Sequence, residues 1–145
     1  MFKNLFKTPE KKEVIKDDEK ISAIAALLVE AALIDGSFDA EETNVIISII
    51  KNTFSIKDEG AIKLLIENVK ADIESHGDLV TYTRTIKENW KLEDRINVIE
   101  MMWKVCLVDG KIEPYEDMLI RRVAGLIYVS DKDRNHAKKN VQNAK

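Results

Sequence analysis

Two short stretches bring acidic side chains together at matching spacings. Residues 32–42 read ALIDGSFDAEE, and residues 106–116 read CLVDGKIEPYE. In each, an apolar run stops at an Asp-Gly pair and acids follow at once. Carboxylates grouped in this way can hold a hard divalent cation. An EF-hand calcium loop places glycine at its sixth position and a bidentate glutamate at its twelfth. Gly36 and Glu42 keep that spacing, with Phe38 between them, and so do Gly110 and Glu116, with Ile112 between them. Asp35 and Asp109 fall at the fifth position, and Asp39 and Glu113 at the ninth. The first and third positions hold Ala31 and Leu33 in one stretch and Val105 and Leu107 in the other, none with a ligating side chain. Neither stretch is a complete loop, and each offers two or three carboxylates to a water-rich site. Oxygen-only ligands favour calcium, magnesium or manganese over zinc. The candidate ligands are Asp35, Asp39, Glu42, Asp109, Glu113 and Glu116.

The same residues also suit a metal-free joint between two helices. Gly36 and Gly110 supply the backbone angle that closes a helix. Phe38 and Ile112 plug the corner. Asp39 and Glu113 cap the next helix, with Glu42 and Glu116 three residues on, as in a capping box. Only Asp35 and Asp109 are left over. An acid at the C-terminal end of a helix opposes the macrodipole by about 0.3–1 kcal/mol. Either its carboxylate accepts amides from the next helix, or it meets a cation.

The elements that position these turns are helical throughout. Apolar residues recur at helical spacing, and only five Gly and two Pro interrupt 145 residues. The expected fold is all-α, a compact bundle of about seven helices. A first helix runs from Asp17 to Ile34, with Ile21, Ile24, Ala25, Leu28, Ala31 and Ala32 on one stripe. A second follows Asp39 and ends near Asn52. Ser55 with Asp58 opens a third, which fades near Gly77. A fourth covers Asp78–Trp90 and a fifth Glu93–Val108. A sixth begins at Pro114, and Ser130 with Asp133 starts a short seventh. Asp35 maps to Asp109 at an offset of 74, and Gly36, Phe38, Asp39 and Glu42 follow at the same offset. The pattern reads as an internal duplication of a helix–Asp-Gly turn–helix unit. Residues 17–141 form the domain and residues 1–16 a tail. In the tail, Phe2, Leu5 and Phe6 with Lys3 and Lys7 outline an amphipathic turn, read first as docking on the domain and second as a weak peripheral membrane contact.

Composition narrows the function. The net charge of −3 argues against a duplex-binding surface. One cysteine, Cys106, excludes an intramolecular disulfide and fits a reducing compartment. No apolar run reaches the roughly 20 residues that span a membrane, and residues 1–16 lack the features of a signal peptide, so a cytoplasmic location is expected. His76 and His136 lack ligand spacing. Cys106 sits on an apolar face and reads as an inert buried thiol. Trp90, Trp103 and Tyr128 read as core or interhelix anchors. Arg121 and Arg122 are expected to pair with Asp117 or Glu116, or to meet an anionic partner. No phosphate loop or nucleophile–base arrangement stands out.

The stretches LLVEAALIDGSFDAEETNVI and RINVIEMMWKVCLVDGKIEPYEDMLIRRVAGLIYVS resemble the TerB-like proteins associated with tellurite resistance. The resemblance covers residues 17–133. It implies an all-helical fold, no enzymatic activity, and an association with tellurite and other chemical stress. It also implies calcium-binding Ter partners and membrane complexes, with a metal site at the acidic Asp-Gly turns. One departure is that Asp39 stands where the second half has Glu113, so the two turns differ in reach. Three readings follow: a partner-binding scaffold tuned by a divalent cation, an interaction module without metal, and a carboxylate-based metalloenzyme with the two turns converging.

Overall fold

The computed structural model describes residues 10–34, 38–76 and 79–144, and their side chains except those of 10–18, His76 and Asp109. Seven α-helices and no strand are present among the described residues: α1 Glu10–Leu33, α2 Ala40–Phe54, α3 Glu59–His76, α4 Leu79–Asn89, α5 Leu92–Cys106, α6 Pro114–Leu126 and α7 Asp131–Asn143. A 3₁₀ turn, Leu107–Asp109, continues α5.

α1 is the central element. It packs against α2, α3, α4, α5 and α6. The expected single stripe is instead burial on every side. Residues 23–29, Ala31 and Ala32 are all buried, and Glu30 is the one residue between Ala23 and Ala32 that keeps partial exposure. A helix apolar all round belongs inside a bundle. Its five alanines between 23 and 32 let neighbouring helices approach closely. α1 also starts at Glu10 rather than Asp17. Its first turns are charged, so they carry no apolar stripe, but Glu and Lys are good helix formers.

Two helix ends differ from expectation in an instructive way. Ser55 does not open α3; it closes α2 in the left-handed conformation, at φ 55°. The Ile56 amide donates to the Lys51 carbonyl at 3.1 Å, and the buried Ile56 side chain completes a Schellman motif. Asp58 is the cap of α3, accepting the Ala61 amide at 3.1 Å. α6 ends the same way. Tyr128 takes φ 59°, the Val129 amide donates to the Ala124 carbonyl at 2.8 Å, and Val129 is buried. Ser130 then caps α7, as expected, by accepting the Asp133 amide at 3.1 Å. The residue equivalent to Ser130 is therefore Asp58, not Ser55. No glycine is available at either helix end, so a serine and a tyrosine take the left-handed position at some cost in strain.

Candidate functional site

The first turn follows the last residues of α1, where the Ile34 amide donates to the Glu30 carbonyl at 3.1 Å. Asp35, Gly36 and Ser37 lie outside the described residues. Phe38 packs half-buried against the core, with Lys70 Nζ 5.5 Å from its ring centre. Asp39 has an extended backbone and caps α2: its Oδ1 accepts the Glu42 amide at 2.9 Å. Glu42 Oε1 reaches back to the Asp39 amide at 3.4 Å. Thr43 Oγ1 adds a bond to the Asp39 carbonyl at 3.0 Å.

The second turn repeats the plan with one change. Gly110 sits in the left-handed region at φ 92°, and its amide donates to the Leu107 carbonyl at 2.9 Å. Ile112 packs half-buried on the core. Glu113 is extended, Pro114 opens α6, and Glu116 Oε1 accepts the Glu113 amide at 2.8 Å. The Glu116 amide donates to the Glu113 carbonyl at 3.0 Å. The Glu113 carboxylate is 3.5 Å from the exposed Lys111 ammonium. The side chain of Asp109 lies outside the described residues. The 3₁₀ turn that ends at Asp109 packs on α2.

Among the six candidate ligands, then, Asp39 is brought to Glu42 and Glu113 to Glu116, one pair at the start of each helix. Among the described residues, no three His, Cys, Asp or Glu side chains form a chelating group. The unexpected feature is depth. Glu42 is only 3% exposed and Glu116 only 2%, two of the four buried polar or charged residues among the described side chains. A carboxylate at that depth is costly unless it is hydrogen-bonded or paired. The bond to the N-cap amide supplies one partner, and both side chains have others. Spacing placed these glutamates correctly, but it carries no information on burial. The donor set fits a hard cation, since every candidate supplies carboxylate oxygen. Such an ion would share carboxylates that already cap helices, not replace the caps.

A further acid sits one helical turn before the first Asp-Gly pair. Glu30 is half-buried on α1, and burial raises its pKa above the usual carboxylate value, with the Arg122 charge of α6 opposing the shift. The signal was legible as the one charge between Lys20 and Asp35. Because the native state holds this proton more tightly than the unfolded chain, its contribution to stability is largest in acid. That contribution falls as pH rises from about 4.5 through the raised value. Glu30→Gln is expected to remove this component. Its melting temperature should exceed that of the wild type at neutral pH, and the difference should shrink in acid. A pH series of thermal melts on both proteins checks the sign.

The remaining candidates fall into place as structure. Cys106 is 1% exposed, and His136 is exposed on α7. Trp103 is fully buried, and Trp90 meets Phe54 edge-on at 6.3 Å. Tyr128 is not core: it is exposed, with Lys87 of α4 5.1 Å from its ring centre. Arg121 pairs with Asp117 at 3.3 Å, as expected. The least anticipated functional-looking side chain is Arg95, which donates to three carbonyls: Trp90 at 3.1 Å, Ile127 at 2.7 Å and Tyr128 at 3.2 Å.

A family profile described as tellurite resistance protein TerB matches residues 21–139. The chain belongs to the TerB family. No curated protein matches it, and no solved structure does. The TerB match begins at Ile21, the first buried side chain described on α1, and ends within α7. It spans both Asp-Gly turns. Among the described residues, no helix of this TerB-family protein is long and apolar enough to cross a membrane.

Proposed function

We propose that this TerB-family protein is a non-enzymatic helical scaffold of the tellurite and chemical stress response. It binds protein partners, Ter-type stress proteins among them, in the cytoplasm or at the periphery of a membrane. Its acidic turns hold a divalent cation. The observation that carries the reading is the pair of buried glutamates, Glu42 and Glu116, each following an Asp-Gly pair and each opening a helix. Asp35, Asp39 and Glu42 would hold one ion, and Asp109, Glu113 and Glu116 the other. Calcium, magnesium or manganese suits such oxygen donors. The ion would neutralise acids that oppose the helix macrodipole and stiffen the turn between two helices. Partner recognition would then depend on cation through the geometry of the turn. A net charge of −3 supports protein rather than nucleic-acid partners.

A second reading has its own observation. The Asp39–Glu42 and Glu113–Glu116 bonds satisfy helix-start amides without any ion. That favours an interaction module with no metal. The two readings differ in partner capture from host extract in calcium or in chelator. The cation-tuned scaffold retains its partner only in calcium, and the Asp35→Asn/Asp109→Asn double variant loses that dependence. Equal capture in both conditions supports the metal-free module.

A further inference from the structure

α2 and α5 lie side by side and leave a groove of about 660 Å³. Val45, Ile49 and Met101 are its apolar lining. A second hollow of about 380 Å³ continues it, sharing Thr53, Asn97 and Met101. That end adds the edge-on Phe54–Trp90 pair and Lys20 of α1. Along the whole channel, Glu41, Asp94 and Glu100 balance Lys20, Lys91 and Lys104. Net charge therefore does not select the occupant, and an apolar side chain within reach does.

The chain carries such side chains close by. Residues 1–9, outside the described residues, hold Phe2, Leu5 and Phe6 and lead directly into α1 at Glu10. From Glu10 to Lys20 is about 15 Å along a helix at 1.5 Å per residue. Nine extended residues span about 30 Å. The segment can retrace the helix to Lys20 and still lay its first few residues in the hollow. A bare amphipathic turn buries too little area to hold a membrane alone, whereas this hollow presents two aromatic rings and a thioether.

We propose that residues 1–9 occupy the aromatic end of the α2–α5 groove of their own chain, with Phe2 seated beside Phe54, Trp90 and Met101.

The test uses the full chain labelled with ¹⁵N. Its two tryptophans give two indole N–H signals. Phe2→Ser is expected to shift the Trp90 signal and leave that of the fully buried Trp103 in place. A nitroxide on Lys3→Cys, with Cys106 buried, is expected to bleach the amides of Thr53, Asn97 and Met101. Bleaching of some other surface, or none on the domain, overturns the proposal. So does bleaching that persists undiminished between chains in a mixture of spin-labelled and ¹⁵N-labelled protein, which would make a second copy the occupant.

Discussion

Trp103→Ala is expected to cost about 3–5 kcal/mol, the range for removing a large aromatic from a core. Trp103 is fully buried and heads the largest such side chains among the described residues. It sits on α5, which packs on α1 and α7, and Lys138 of α7 lies 5.0 Å from its ring centre. Truncation leaves a cavity at the meeting of three helices and deprives the Lys138 ammonium of its aromatic face. For a domain of this length each kcal/mol lowers the melting temperature by about 2–4 °C. The variant should therefore melt at least about 6 °C lower. The indole N–H has no hydrogen-bond partner among the described residues. Trp103→Phe removes that orphan donor along with some volume, and should cost much less than the alanine. Urea unfolding of both variants checks the ranking; equal losses would show that indole volume is not what matters at this site.

Arg95→Ala is expected to be the next most damaging, at about 2–3 kcal/mol, in the range for charged hydrogen bonds. One guanidinium satisfies carbonyls from two places: Trp90 just past α4, and Ile127 and Tyr128 just past α6. The last carbonyls of a helix have no intrahelical partner, and a cation there also meets the negative end of the macrodipole. Arg95 thus ties the close of α6 to the start of its own helix α5. Three bonds from Nε and Nη1 require a planar fork, so Arg95→Lys should recover little of the loss. Denaturant midpoints of the two variants test this. Full rescue by lysine would mean that charge alone, without the fork, holds the joint.

The helical fold and the residue roles within each turn were legible because they are local. Helical spacing marks a buried face, and Asp39, Glu113 and Ser130 act through neighbours three or four residues away. What sequence did not convey is non-local. The burial of α1 on all sides depends on five other helices arriving around it. The left-handed Ser55 looks like any helix-capping serine until the Ile56 amide is seen to close back on Lys51. Arg95 stands 32 residues from Ile127, beyond any spacing rule. At the candidate site, the positions of Asp39, Glu42, Glu113 and Glu116 as capping pairs were readable, whereas the depth of the two glutamates was not. The sequence points to a cation through Asp35 and Asp109, the acids that capping leaves over, and the structure adds the buried Glu42 and Glu116.

Calorimetric titration of calcium and manganese into chelator-treated protein, paired with melting curves, addresses those acids directly. Cation-tuned turns predict saturable heat and a rise in stability of about 2.7 kcal/mol at one hundred times the dissociation constant. Both are lost in Asp35→Asn/Asp109→Asn. No heat and no change in melting temperature for the wild type would contradict cation binding and leave the acidic turns as helix joints alone.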